Sequence, residues 1–202
     1  MPCPKHFAHP KLPTRQQKEK PLSMRTLTFM RHAKSDWTAS APGEPPLPDK
    51  DRPLSRRGKR DAPLMATWMA ANGLDPDLII CSTAVRTRQT LALTKATIHC
   101  ERQIIQQRED LYLARSDDLI ELARSIPDDI RHLMMLGHNP GLQDAAIMLI
   151  GAGDVELRRA LSLKLPTAGV VVIDFAFDQW RSISPGSGTL RNFMAPKRLP
   201  LD

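Results

Sequence analysis

An apolar segment runs directly into a basic one in Thr26-Leu27-Thr28-Phe29-Met30-Arg31-His32-Ala33-Lys34-Ser35. Its first five residues are apolar or β-branched, which predicts a buried strand, and the polar residues that follow are typical of the loop at the strand's C-terminal end. In open α/β sheets, ligands bind at that end of the strands. Arginine supplies a permanent cation there, and a neutral histidine ring can attack phosphorus. An isolated Arg-His pair also occurs at ordinary solvated strand ends, so the interpretation depends on the rest of the chain.

Two further basic loops follow apolar segments. Ser82-Thr83-Ala84-Val85-Arg86 comes directly after residues 77–81, and Gly137-His138-Asn139-Pro140 comes after residues 130–136. Because the carboxyl ends of parallel strands meet at one edge of a sheet, we expect the basic side chains of the three loops to converge. Two arginines and two histidines, with no clustered cysteines, suit an anionic, tetrahedral ligand better than a zinc ion. The sequence therefore predicts an anion site and no metal site. The other histidines, including His132, are expected in the tail or in ordinary surface roles.

Strands and helices are predicted to alternate along the chain. The predicted strands are residues 26–30, 77–81, 100–106, 130–136 and 169–177, and residues 180–183 are a candidate partner for the last of them. The predicted helices are residues 56–72, 83–97, 116–125, 140–150 and 155–161. Residues 36–51 and 185–202 are expected to be loops. This alternation is typical of an α/β fold, a three-layer α/β/α sandwich around a mostly parallel central sheet.

Length and composition indicate one globular domain. The 202 residues are 41% hydrophobic and 25% charged, and no apolar run is long enough to cross a bilayer, so we expect no membrane partner. The three cysteines form no C-x-x-C spacing, which favours a reducing, cytoplasmic setting. The net charge of +7 is uneven, because residues 1–23 hold five basic residues against one acidic residue. The rest of the chain is only mildly basic, and we expect no nucleic-acid partner.

Residues 1–23 form a separate region in composition. They hold five prolines and several lysines and glutamines, without an apolar period, which predicts a disordered, basic, Pro-rich tail. A start codon placed too early is an alternative, since Met24 directly precedes the first predicted strand. An organelle-targeting peptide fits less well, because serine is scarce and prolines interrupt an amphipathic helix. Residues 24–202 are then the single folded domain.

Taken together, the loops resemble the histidine phosphatase superfamily, whose fold is phosphoglycerate mutase-like, and in particular its SixA-type branch of phosphohistidine phosphatases. The matching motifs are Arg31-His32-Ala33-Lys34-Ser35-Asp36-Trp37, Asp51-Arg52-Pro53-Leu54-Ser55-x-x-Gly58, Ser82-Thr83-Ala84-Val85-Arg86-Thr87-Arg88-Gln89-Thr90 and Gly137-His138-Asn139-Pro140-Gly141. The similarity extends from residue 26 to about residue 150. Ala33 stands where many members have glycine, and Thr83 where proline is frequent, but neither change removes a catalytic group.

The resemblance implies roles for the basic residues. His32 would attack phosphorus and form a phosphohistidine intermediate, which water then hydrolyses. Arg31 and Arg86 would hold the non-bridging oxygens, and His138 would stabilise their growing charge. Lys34 and Ser35, in the same loop, are expected to contribute to substrate binding. The resemblance implies no metal and no cofactor.

The general acid is left open by the sequence. Larger members of the superfamily protonate an alkoxide leaving group with a carboxylate, which the SixA-type branch lacks in its usual place. Glu109, Asp51 and Asp36 are candidates here, and each is equally explained as a loop cap or an ion-pair partner. The expected function is a metal-independent phosphatase acting on phosphohistidine in proteins. A phosphatase of small phosphomonoesters and a non-catalytic phosphate-binding module are the alternatives.

Overall fold

The first predicted strand lies at the centre of the sheet in the computed structural model. The structure describes residues 24–40, 43–98 and 104–200. Within those residues the sheet has seven strands: β1 (Arg25–Arg31), β2 (Leu78–Ser82), β3 (Ile104–Arg108), β4 (His132–Gly137), β5 (Ile150–Gly153), β6 (Val170–Phe175) and β7 (Gly188–Met194). The helices are α1 (Arg56–Ala71), α2 (Val85–Lys95), α3 (Ser116–Arg124), α4 (Gly141–Leu149) and α5 (Val155–Leu163).

The strands are ordered β3-β2-β4-β1-β6-β7-β5 across the sheet. β1, β2, β3 and β4 are parallel to their neighbours in that group, and β5 is parallel to β7. β6 is antiparallel to both β1 and β7. The sheet is therefore mostly parallel, which confirms the predicted fold class. In register, Arg31 lies beside Gly137, and Cys81 lies beside Leu136, so β1, β2 and β4 end at the same edge.

Both faces of the sheet are covered by helices. On one face, Leu27 and Phe29 of β1 pack in a buried cluster with residues of α3 and α4, such as Ile120 and Leu142. On the other face, Met30 belongs to a second cluster with residues of α1 and α2, including Met65, Met69 and Leu91. The alternation of side chains along β1 thus divides its apolar residues between two cores. This is the three-layer arrangement that the sequence predicts.

The C-terminal part of the chain differs from the prediction. Residues 188–194 form β7 rather than a loop, and residues 150–153 form the short edge strand β5. Residues 180–183 do not pair with β6, because Trp180–Ser182 is a 3-10 turn. Trp180 instead fills a core position, fully buried, and its indole N–H donates to the carbonyl of Ile130 at 2.7 Å. A buried tryptophan needs such a partner for its indole N–H.

Some predictions concern residues outside the described ranges. The tail, residues 1–23, is outside them, as is the beginning of the strand predicted at 100–106; its described part extends further, to Arg108. In the described part of the chain, no helix combines the length and the apolar character needed to span a bilayer. Cys81 is buried and unpaired, and burial raises the pKa of its thiol to about 12.

Candidate active site

The first strand-end loop is fixed in place by the segment that precedes α1. Ser35 pairs with Leu54 in an isolated antiparallel bridge, and the amide of Ser55 donates to the carbonyl of Lys34 at 2.9 Å. The Ser55 hydroxyl caps α1 by accepting from the amide of Gly58 at 3.2 Å. A Cβ at Gly58 would overlap the Lys34 carbonyl, so glycine permits this close approach. Two of the sequence motifs are therefore one structural unit.

His32 is buried at the end of β1 and has a defined tautomer. Its Nδ1 lies 2.8 Å from the carbonyl oxygen of Ala33, which can only accept a hydrogen bond. The proton of the neutral ring is therefore on Nδ1, and Nε2 has a free lone pair. Burial, with smaller contributions from the charges of His138, Arg86 and Arg31, lowers the pKa of His32 to about 3. The ring is neutral near pH 7, as a nucleophile must be.

His138, after β4, is also buried, and its ring centroid lies 5.3 Å from that of His32. Nη2 of Arg86 donates to its Nδ1 at 3.1 Å, because a guanidinium has no acceptor. Nε2–H of His138 is then the group that meets the Ser82 hydroxyl, at 2.9 Å. Burial and the charges of Arg86 and Arg31 lower the pKa of His138 to about 3. The prediction that His32, Arg86 and His138 converge is confirmed by these contacts.

The two predicted arginines lie near each other, and burial lowers the pKa of both. Burial and the charge of Arg86 lower the pKa of Arg31, whose Nη1 donates to the carbonyl of Leu165 at 2.8 Å. Nε of Arg31 is buried without a hydrogen-bond partner among the described residues. Two cations with desolvated guanidinium groups favour an anion between them, since it would offset both their repulsion and their lost hydration. The site is thus suited to an anion such as a phosphoryl group.

Asp49 is a site residue that the sequence did not reveal. Its carboxylate accepts from Nη2 of Arg86 and from the hydroxyl of Tyr112, both at 2.8 Å, and it also pairs with Arg52. The Tyr112 ring meets His138 edge-on, with the centroids 5.4 Å apart. Asp49 lies in a short 3-10 turn within the long loop after β1. The proline-rich loop and the Asp49-x-x-Arg52 spacing were the available signals, but neither indicates which cation the carboxylate contacts.

None of the candidate general acids has a described hydrogen bond to His32, Arg86 or His138. Glu109 accepts from Lys50 at 2.6 Å and from the Thr83 hydroxyl, and the bond from Lys50 contributes most to lowering its pKa. Asp36 accepts from the amide and hydroxyl of Thr38, and these bonds lower its pKa. A general acid needs a pKa near the working pH, so these contacts do not favour either carboxyl for that role, which stays a prediction. Asp51 is exposed and has no described hydrogen bond to His32 or His138.

The remaining predicted residues have mixed outcomes. Ser35 is buried behind the loop, and Lys34 is exposed, so their binding roles stay predictions. His132 was wrongly assigned to the surface: it is half-buried beside β1, with Nε2 2.8 Å from the Thr28 hydroxyl, and burial lowers its pKa to about 4. Within the described ranges, no three side chains of the metal-binding types cluster as a metal site would require.

Comparisons with known proteins agree with this geometry. The sequence model of the Histidine phosphatase superfamily (branch 1) matches residues 27–132. An uncharacterised protein of Mycobacterium tuberculosis is 35% identical over 170 residues, which are 83% of this chain and 100% of that protein. An uncharacterised chloroplastic protein of Arabidopsis thaliana is 30% identical over 184 residues, which are 85% of this chain and 78% of that protein.

Solved structures also match over most of the chain. A candidate phosphohistidine phosphatase SixA from Agrobacterium tumefaciens has a TM-score of 0.69 and 31% identity, with 85% of this chain and 98% of that chain covered. The corresponding protein from Nakamurella multipartitia has a TM-score of 0.70 and 27% identity, with 88% and 99% covered. A SixA structure complexed with tungstate shares the fold at 19% identity, with a TM-score of 0.63 over 87% of this chain and 99% of that chain. This chain therefore belongs to the histidine phosphatase superfamily and is similar to its SixA-type members.

Proposed function

We propose that this chain is a phosphatase that forms a phosphorylated His32, needs no metal ion, and acts on phosphohistidine in proteins. The observation that supports this most strongly is the state of His32. Its ring is neutral, with the proton held on Nδ1 by the Ala33 carbonyl, and Nε2 is left as a nucleophile. Arg31 and Arg86 supply the cations that a transferring phosphoryl group requires.

In the first step, the lone pair of His32 Nε2 forms a bond to phosphorus while the bond from phosphorus to the leaving nitrogen breaks. The electron pair of that bond stays on the leaving imidazole, whose other ring nitrogen already holds a proton, so the ring departs neutral. Arg31 and Arg86 hold the non-bridging oxygens. Arg86 must exchange its contacts with Asp49 and with Nδ1 of His138 for the phosphoryl oxygens, which leaves that nitrogen free to take a proton. The proton comes from the phosphoryl group, which binds as its monoanion; the dianion so formed favours the protonated ring, and His138 then donates to an oxygen.

In the second step, a water oxygen attacks the phosphorus of phosphorylated His32. The bond from phosphorus to Nε2 breaks, and its electron pair returns to the ring. The proton lost by water ends on the phosphate product, so the neutral His32 is restored. The Nδ1–H bond to Ala33 keeps the ring in one orientation through both steps.

The state of His32 favours an enzyme over a phosphate-binding module. A module that only binds phosphate gains from N–H donors and cations. A neutral ring that offers a lone pair to the anion site contributes nothing to such binding and is useful only in a reaction. The buried, uncharged His32 is therefore better explained by turnover.

The leaving group decides between protein phosphohistidine and small phosphomonoesters. An alkoxide is about as basic as hydroxide, so its conjugate acid has a pKa far above that of imidazole, and its departure needs an acid that contributes about 10²–10⁴-fold. Imidazole leaves with far less help, since its pKa is about 6.5. Among the described residues, the pKa values of Glu109 and Asp36 are lowered by their hydrogen-bond partners, which disfavours proton donation. This supports an N–P bond as the substrate, as the names of the SixA-type neighbours also suggest.

The test compares kcat/KM for a phosphohistidine peptide, an aryl phosphate and a simple alkyl phosphate. We expect the first two to exceed the third by about 10²-fold or more. The variants Asp36→Asn, Asp51→Asn and Glu109→Gln should retain this order. Equal rates on the alkyl phosphate, lost in one of these variants, would identify a general acid and make small phosphomonoesters the substrates. Phosphate binding without turnover of any substrate would favour the binding module.

Excess EDTA should leave the rate unchanged, because two arginines and a histidine take the place of the metal in this mechanism. Recovery of a lost rate by added magnesium or zinc would contradict it.

The buried, unpaired thiol of Cys81 is in keeping with a cytoplasmic setting.

A further inference from the structure

A basic groove adjoins the anion site on the side of Arg31. It is a cavity of about 530 Å³ between the end of α5 and the chain after β7. Its cationic lining consists of Arg31, Lys34, Arg57, Lys164, Lys197 and Arg198, and the described residues that line it include no carboxylate. Arg31 is the shared wall, because its charge lowers the pKa of both His32 and His138, and its own pKa is lowered by Arg86. A phosphoryl group bound at His32 therefore has the groove directly beside it.

Most of the groove cations are not neutralised by the protein. Arg57 pairs with the buried Asp61 at 3.1 Å, and Arg198 lies over the ring of Phe193, 5.1 Å from its centroid. The described ion pairs include none made by Lys34, Lys164 or Lys197. Like charges gathered around one cavity repel each other, and an anionic ligand relieves that repulsion.

The exposure of these cations indicates the kind of anion. Lys34, Lys164, Lys197 and Arg198 are all exposed, at the rim of the groove rather than inside it. A small polyanion is usually enclosed by its site, with most of its surface buried and its polar partners fixed. Exposed cations at a rim instead attract the charged surface of a large partner and orient it on approach. An acidic protein surface suits the groove better than a small polyphosphate.

We propose that the basic groove binds acidic side chains that lie next to the phosphohistidine of a protein substrate. This inference rests on the proposed function and adds a substrate preference to it. Arg31 is the junction, holding a phosphoryl oxygen on one side and facing the acidic segment on the other. The attraction acts mainly on association, so it should appear in kcat/KM and weaken as salt screens the charges.

The experiment uses three phosphohistidine peptides of equal length, flanked by glutamate, serine or lysine. At low salt, kcat/KM should be about 10-fold higher for the glutamate peptide than for the serine peptide, and lowest for the lysine peptide. The double variant Lys164→Glu/Lys197→Glu should remove or invert this order. Both positions are exposed, so the reversal should not disturb the core. The control is Lys95→Glu/Arg131→Glu, which changes the net charge equally at the end of α2 and before β4, away from the site.

The outcomes separate this inference from the proposed function. Equal kcat/KM for the three peptides, or equal effects of the two double variants, would contradict binding of acidic side chains in the groove. The proposed phosphatase activity would still stand. If no peptide is hydrolysed, the proposed function fails, and the groove is then tested by the anisotropy of labelled, unphosphorylated peptides. Preferential binding of the glutamate peptide that is lost in Lys164→Glu/Lys197→Glu supports the proposed role of the groove. Equal binding of the three peptides overturns it. Inhibition by inorganic tripolyphosphate far stronger than by the glutamate peptide would make the groove a small-polyanion site and also contradict the proposal.

Discussion

Burial sets the chemistry of His32 and His138 at the scale of single residues. Both rings are almost fully enclosed and lie near two arginines, so the charged form of each is disfavoured, and each pKa falls to about 3. The same residues on a protein surface would be half-protonated near pH 6.5. Because the Ala33 carbonyl determines the tautomer of His32 and Arg86 that of His138, the site has one defined nucleophile before substrate binds.

The lowered pKa of His32 predicts the pH dependence of turnover. kcat/KM reports the ionisations of the free enzyme, and a lowered pKa means that protons compete for His32 only near pH 3. For an aryl phosphate, kcat/KM calculated for the monoanion, which carries the proton that passes to His138 and loses it near pH 6, should stay nearly level from pH 7 to about pH 4.5. A tenfold fall per pH unit beginning at pH 6.5 would show that His32 titrates as an exposed histidine does. Initial rates in buffers of constant ionic strength provide the measurement.

Asp49 competes with phosphate for Arg86. Its carboxylate, 41% exposed, forms a 2.8 Å ion pair with the guanidinium that the mechanism assigns to the phosphoryl oxygens. Asp49→Asn keeps the shape and removes the charge, so orthophosphate should bind about 2- to 5-fold more tightly, a modest gain because solvent screens the pair. Titration calorimetry with orthophosphate measures the change. Asp51→Asn is the matched control, since it removes one charge from the same turn without a described contact to Arg86.

Weaker phosphate binding in Asp49→Asn would reverse this interpretation. Asp49 would then hold Arg86 in the orientation that phosphate requires, and a fall in kcat should accompany the loss of affinity.

At the scale of elements, the strands and helices that the sequence predicts are those with a continuous local pattern of apolar residues. The apolar runs of β1, β2, β4 and β6 and the caps of α1 were identified within one or two residues, because each buries a continuous local pattern. β7 was missed, since its buried residues Leu190 and Phe193 are three apart rather than alternating, and a register shift interrupts the strand between them. Its pairing with β6 is non-local, and only the folded sheet supplies the partner.

The same limit applies within the site. Arg31, His32, Arg86 and His138 are adjacent to strand ends, and the topology of a parallel sheet alone brings them together. Asp49 reaches Arg86 from a long irregular loop, and no periodicity in the sequence encodes that path. The groove likewise depends on β7 and the chain after it, which the sequence did not place.

Gly141 connects the start of α4 to the position of His138. A Cβ at Gly141 would overlap the carbonyl of Ala114, and the amide of Leu142 donates to the carbonyl of His138 at 3.1 Å. Gly141→Ala should displace the helix start, lowering stability by about 1–3 kcal/mol and also reducing kcat. Each kcal/mol lowers Tm by about 2–4 °C in a protein of this size. Thermal unfolding and kcat are measured together.

Gly137→Ala is the control for that variant. A Cβ there would lie 3.6 Å from the Leu142 side chain, an ordinary contact, so its Tm should change less. Equal loss of Tm in both variants would mean that the space at Gly141 does not determine the position of α4.

At the scale of the whole molecule, the sheet brings together residues from three distant segments. β1, β2 and β4 are neighbours, and their ends bring His32, Arg86 and His138 within contact although they are up to 106 positions apart. Helices on both faces bury the strands, so the loops at the edge are supported by two cores. The strand ends of the site are therefore backed by packed cores, whereas Asp49 reaches Arg86 from a turn outside the sheet.

Both cores and the candidate site lie within residues 24–200. Deleting residues 1–23 should therefore leave Tm and kcat almost unchanged. Thermal unfolding and aryl phosphate turnover of the truncated protein provide the measurement. A large drop in either quantity would show that the segment contributes to the folded domain.

The central claim is that phosphoryl transfer passes through His32. Rapid mixing with a phosphohistidine or aryl phosphate substrate, quenched in base because phosphohistidine is labile in acid, should give a transient adduct. Mass spectrometry of the digested protein should locate one phosphate on His32, and the adduct should decay at the rate of turnover. His32→Asn should show neither adduct nor turnover. Turnover without an adduct, a phosphate on another residue, or full activity in His32→Asn would contradict the account.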